Sequence, residues 1–124
     1  DGDAHAKNFS ILYRTRQPRL APAYDLLSTA VYPNLPAKLA MKIDTEYQFR
    51  WITPGKFVRL GEKVGFKPRL VERELARMSA AVSAGAAPLA AQLANLHPSP
   101  VYGQILSGIA ARLQQLRFQK SEQR

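Results

Sequence analysis

The 124-residue sequence contains no cysteine, which removes a disulfide framework and any thiolate-ligated metal centre and accords with a reducing compartment. Long hydrophobic runs are missing as well. No stretch reaches the roughly 20 apolar residues of a bilayer-spanning helix, and no signal-peptide pattern opens the chain, so the expected setting is the cytoplasm, without membrane contact. Acidic residues are few, 9 against 18 lysines and arginines, for a net charge of +9. A surplus of that size attracts polyanions such as nucleic acid, ATP or acidic partners. The basic residues are nevertheless scattered: Arg14, Arg16 and Arg19 around one loop, Lys67, Arg69, Arg73 and Arg77 along one segment, and Arg117, Lys120 and Arg124 in the tail. Zinc-finger spacing, an RNA-binding aromatic signature and a helix-turn-helix pattern are all absent, which favours a solvated basic surface over a dedicated nucleic-acid face.

What is present is concentrated in the first 25 residues. Asp3 and Asn8 stand five apart, the separation in the kinase catalytic-loop pattern H-R-D-x-x-x-x-N, and Asp25 follows after one hairpin's length of chain. Phosphoryl transfer needs a carboxylate to orient and deprotonate the attacking hydroxyl, an Asn to hold a metal ion, and a second Asp for the metal bridging the phosphates. These three residue types occur here in that order. An Asp-Gly-Asp start also serves as a solvated turn, so the spacing alone does not decide between the two.

The pattern of apolar residues predicts an α+β chain, mostly α, folded as a single domain over residues 1–124. Phe9, Ile11 and Tyr13 alternate as a strand, a turn falls at Thr15-Arg16-Gln17-Pro18, and Leu20 to Tyr24 returns, with Pro22 at an edge. Such a hairpin would place Asn8 and Asp25 at one end. A short helical turn and loop follow from Leu26 to Ala37. A second hairpin is predicted from Leu39, Met41 and Ile43 paired with Tyr47, Phe49 and Trp51 across Asp44-Thr45-Glu46, with the aromatic stripe facing the core. About four helices should follow: one begun by Thr53-Pro54 and ended at Gly65, one from Pro68 broken at Ser83-Ala84-Gly85, a third marked by Leu89, Leu93 and Leu96, and a last one after Pro100. Arg73 and Arg77, like charges four apart, should destabilise their helix slightly unless solvated or bound to an anion. His97 lies between a helix end and prolines with no Asp, Glu or His at ligand spacing and carries no assigned role.

The full strings Asp3-Ala4-His5-Ala6-Lys7-Asn8-Phe9-Ser10 and Leu20-Ala21-Pro22-Ala23-Tyr24-Asp25-Leu26-Leu27-Ser28 closely resemble the D-x-H-x-K-N and P-x-Y-D-x-x-S segments of the HipA family of serine/threonine kinase toxins, and Lys38-Leu39-Ala40-Met41 looks like a third segment of that family. The resemblance implies the C-terminal lobe of a protein-kinase-like fold, with two short hairpins followed by helices. It implies Asp3 as catalytic base, Asn8 and Asp25 as Mg²⁺ ligands at the ATP phosphates, and Lys7 beside the transferring phosphate. His5 joins the catalytic group, where many kinases place a lysine, or supports the loop's backbone. Tyr24-Asp25-Leu26 replaces the kinase Asp-Phe-Gly, and Asp1 stands where the family commonly shows asparagine. By family, the substrate is a protein, with aminoacyl-tRNA synthetases as the known class, and the partner is a helix-turn-helix antitoxin through which DNA is met only indirectly. Two rivals remain open: an aminoglycoside- or choline-type phosphotransferase, whose loop is similar to Gly2-Asp3-x-His5-x-x-Asn8, and a non-catalytic basic binding module. Because the first residue is Asp and no Gly-rich phosphate loop or strand lysine precedes the motif, the expectation is a fragment that lacks the ATP-binding lobe, is inactive alone, and self-associates through exposed apolar surface.

Overall fold

The computed structural model of the chain describes residues 2–13 and 17–118. The predicted turn at Thr15 and Arg16, the basic residues Arg14, Lys120 and Arg124, and the tail from Gln119 lie outside the described residues. Two antiparallel hairpins come first and three helices follow, an α+β arrangement that is mostly α. In the first hairpin β1 (Ile11–Leu12) pairs with β2 (Arg19–Leu20), Ile11 opposite Leu20 and Leu12 opposite Arg19. The Ala21 amide extends the ladder by donating to the Ser10 carbonyl at 2.8 Å, and Pro22, which has no N–H to offer, stands just past its end. A 3-10 turn at Thr29–Val31 leads into the loop before the second hairpin.

In that second hairpin β3 (Lys38–Ile43) pairs with β4 (Glu46–Gln48), with a register shift along β3. Asp44 and Thr45 make the turn, and Asp44 takes the left-handed backbone, φ 58°, which a short polar side chain tolerates better than most. The aromatic stripe departs from expectation. Only Tyr47 lies in β4, and Phe49–Trp51 form a 3-10 turn. Tyr47 and Trp51 are exposed, and Arg50 lies over the Trp51 ring at 5.2 Å. Period two cannot persist once the chain must turn towards the helix that begins three residues later.

Helix α1 (Pro54–Lys63) starts as predicted, with Pro54 in its first turn after the extended Thr53. It ends in a Schellman motif: Gly65 is left-handed at φ 88°, its amide donates to the Glu62 carbonyl at 3.0 Å, and the Phe66 amide donates to Gly61 at 2.8 Å. Helix α2 runs unbroken from Pro68 to Leu96, and α3 from Val101 to Gln115. Three helices therefore stand where four were expected. The predicted break at Ser83-Ala84-Gly85 is spanned, as is Pro88 inside the helix. Gly and Pro cost a helix interior about 1 and about 3 kcal/mol, but this segment is otherwise rich in alanine, the best helix former, and a long helix adds a bond for each residue it keeps. The Arg73–Arg77 repulsion is answered within the helix by Glu74, whose carboxylate meets Arg77 Nε at 2.8 Å and Arg73 Nη2 at 3.2 Å. These bonds, Arg77's first, hold the Glu74 carboxyl below its ordinary range.

Ile52 is the one buried large apolar side chain among the described residues. The carbonyls around it are closed by Gln115 of α3, whose amide donates to Phe49 O at 2.8 Å and Ile52 O at 2.7 Å, while Arg112 lies over the Phe49 ring at 4.6 Å. Between α1, α2, α3 and the Thr29–Val31 turn lies an apolar groove of about 880 Å³, lined among others by Phe57, Leu75, Met78 and Ile109. No helix among the described residues is long and apolar enough to cross a membrane.

Candidate active site

The site occupies the chain's beginning and is built by one 3-10 turn and one hairpin. His5 is extended, and the turn Ala6–Asn8 starts after it. The Asn8 amide donates to the His5 carbonyl at 3.0 Å. In return the His5 amide donates to Asn8 Oδ1 at 2.9 Å, the reciprocal arm by which an Asn three residues on satisfies an orphan amide at a helix start. That bond also settles the orientation of the carboxamide: its oxygen faces the His5 N–H, so its NH₂ faces away. The NH₂ donates to Asp25 Oδ2 at 2.8 Å. At the other end of the loop, His5 Nε2 lies 3.0 Å from Asp3 Oδ1. An imidazole carrying its proton on Nε2 makes that contact whether neutral or charged.

Asp3, His5, Asn8 and Asp25 are thus joined in one run of contacts, and the hairpin brings Asn8 and Asp25 to the same end as its length requires. Asp25 is left-handed, φ 56°, five residues past the end of β2. Lys7 differs from the other four: its carbonyl is engaged by Tyr24, but its side chain is exposed and makes no ion pair among the described residues. The site is open to water, with the Asp3 side chain 65% exposed and that of His5 46%. Gly2 anchors the near end. Its amide donates to Thr29 Oγ1 at 2.7 Å, and a Cβ at Gly2 would sit 3.0 Å from both Thr29 Oγ1 and the Lys38 carbonyl, so only glycine fits beside Asp3 without displacing backbone.

Several groups had no assigned role in the sequence reading. Tyr24 Oη donates to the Lys7 carbonyl at 3.0 Å and meets Ser10 Oγ at 3.0 Å. Ser10 precedes β1 opposite Ala21, and that pairing is the one sequence signal that could have placed it near Tyr24. Thr29 offered none, because its contact with Gly2 spans 27 residues of chain. Beside Asn8 and Tyr24 a pocket of about 160 Å³, mostly apolar, opens between the turn and β2.

The donor set suits a hard cation. Asn8 Oδ1 keeps a second lone pair after accepting from His5, and Asp25 keeps one carboxylate oxygen beyond its bond to Asn8. No cluster of three or more His, Cys, Asp or Glu side chains able to cage a metal occurs among the described residues. An amide and a carboxylate oxygen fit Mg²⁺, which keeps several waters and binds through one or two carboxylates plus substrate phosphates.

These features define a mostly helical α+β domain that gathers oxygen donors at one end of its first hairpin. The sequence matches the model of the HipA-like C-terminal domain over residues 1–86, and the chain belongs to that family. It is 38% identical over 78 residues to the Sinorhizobium fredii protein named "Putative kinase Y4mE", a match covering 63% of this chain and 19% of that protein. It is 33% identical over 72 residues to "Putative kinase Y4dM" of the same organism, covering 57% of this chain and 18% of that protein. The chain thus spans about a fifth of the length of these relatives. No solved structure matches it.

Proposed function

We propose that residues 1–124 form the catalytic-lobe part of a HipA-like kinase that transfers the γ-phosphate of ATP to a seryl or threonyl hydroxyl of a protein. The observation that carries this reading is the bonded run Asp3–His5–Asn8–Asp25, which gathers a base and two metal-suited oxygen donors at one end of one hairpin. In it, Asp3 orients the attacking hydroxyl and takes its proton, and His5 holds the carboxylate through Oδ1. Asn8 and Asp25 would hold Mg²⁺, which, when bound, neutralises the phosphate charge that builds during transfer. Lys7, charged and unrestrained, reaches the outgoing phosphoryl group from solvent. The openness of the edge supports a protein substrate over a small molecule, which is usually enclosed by its site. Aminoacyl-tRNA synthetases as substrates and a helix-turn-helix antitoxin as partner are the family's choices and are proposed here on that ground.

The test is phosphate transfer from ATP by the full-length protein with Asp3→Asn and Asp25→Asn substitutions. Removing a general base costs about 10²- to 10⁴-fold, and loss of the metal-binding carboxylate should cost at least as much. Activity unchanged in both variants would overturn the assignment.

A further inference from the structure

We propose that Tyr24 is a positioning residue that holds the Asp3-to-Asn8 loop in register with Asp25 when a metal ion occupies the site; the inference rests on the reading of Asn8 and Asp25 as metal ligands. The argument begins with proton count. A phenol has one proton, and the Tyr24 hydroxyl donates it to the Lys7 carbonyl, 3.0 Å away. The contact to Ser10 Oγ, also 3.0 Å, must then run the other way, with the serine hydroxyl donating. Both sides of the phenol oxygen are committed, one to the turn that carries Asn8 and one to Ser10, the residue that leads into β1. Tyr24 is also the residue before Asp25, so its ring is a strut from the backbone of one ligand's turn to the backbone of the other ligand.

The strut matters because of what a metal does to the remaining link. Asn8 Nδ2 and Asp25 Oδ2 are joined directly at 2.8 Å, and a cation drawing on Asn8 Oδ1 and the Asp25 carboxylate pulls on both partners of that bond. The Tyr24 bonds use none of the ligand atoms. They therefore keep the spacing of turn and hairpin while the ligand side chains reorient, and pre-set geometry lowers the ordering cost of binding. With 44% of Tyr24 exposed, little folding energy depends on its hydroxyl, so loss of the O–H should register in metal binding and not in stability.

The experiment measures Mn²⁺ binding to the full-length protein, by the electron paramagnetic resonance signal of the free ion, together with the melting temperature. Tyr24→Phe keeps the ring and removes the strut. Its expected result is a Kd for Mn²⁺ raised about three- to tenfold, the factor one neutral hydrogen bond supplies, at a melting temperature within about 2 °C of the parent. Ser10→Ala leaves the bond to Lys7 intact and should change Kd less than about twofold. Wild-type Mn²⁺ affinity in Tyr24→Phe overturns the positioning role, and if Asp25→Asn has meanwhile lost affinity, the reading of the site survives it. A parent protein that takes up no Mn²⁺ overturns both. An affinity loss in Tyr24→Phe that disappears on cooling below a lowered melting transition assigns the residue to general stability and likewise overturns the proposal.

Discussion

Replacing Gly61 by alanine tests the closest approach between two helices. A Cβ built on Gly61 lies 2.4 Å from Val71 Cγ2, with Phe66 Cβ and Val71 Cβ at an ordinary 3.7 Å. Valine is stiff at χ1 in a helix, so the methyl cannot swing away, and relief must come from moving α1 against α2. Overpacking of this kind costs about 1–3 kcal/mol. Alanine is the better helix former by about 1 kcal/mol, which offsets part of it. The expected net effect of Gly61→Ala is a loss of about 1 kcal/mol, or roughly 4 °C in Tm for a chain of this size. Val71→Ala alone should cost about 0.5 kcal/mol, since its side chain is only half-buried. In the Val71→Ala background the clash has no second partner, and Gly61→Ala should become neutral or stabilising by up to about 1 kcal/mol. A double-mutant cycle followed by urea unfolding should then give a coupling of about 1–2 kcal/mol. If Gly61→Ala raises Tm in the parent, or the cycle closes within about 0.5 kcal/mol, the helices do not meet as closely as described.

Gln115→Ala removes the amide that closes the Phe49 and Ile52 carbonyls beside the buried Ile52 side chain and should destabilise the chain by about 1–3 kcal/mol; an unchanged thermal transition would contradict the role given to α3 in covering that turn. Asp44, bonded first by Lys63 and then by Arg59, has its pKa lowered from 3.8 to about 2. A depressed carboxylate contributes stability that is complete above its ordinary pKa and is lost as pH falls through the folded value. The contribution should therefore disappear between about pH 4 and pH 2, and Asp44→Asn should flatten the Tm profile across that window. The same acid slope in the variant would show that the two cations do not hold this carboxylate.

Much of the fold was legible where local chemistry is decisive. Thr53-Pro54 marked the start of α1 and Gly65 its end because the first helical position accepts a residue without N–H and the left-handed cap needs no Cβ. The same signals misled at Gly85, where a glycine that can end a helix sits among alanines that carry it on. The stripe Tyr47, Phe49, Trp51 misled for a different reason: alternation specifies a strand only while a partner strand runs beside it, and β4 stops at Gln48. In the site, the joining of Asn8 to Asp25 was readable because a hairpin of that length returns to its origin. The Asp3–His5 contact was not, since two residues of spacing do not fix where an imidazole turns. Nor were the tertiary contacts Gly2–Thr29 and Asp44–Arg59–Lys63, which join elements that the sequence presents separately.

The Asn8–Asp25 bond closes a loop of only 17 residues, while the helices below are joined across far longer separations, as between Gln115 and Phe49, 66 residues apart. Closure entropy grows with the logarithm of loop length, so drawing the site's ends together costs less than docking α3. Yet a hairpin of two residue pairs is marginal by itself, and Ile11 and Leu20 on it are 52% and 72% exposed. The edge is therefore cheap to assemble and equally cheap to open. In folding it would form and dissolve many times before the helices settle, and in the native protein it belongs among the first segments to exchange its amide hydrogens with solvent.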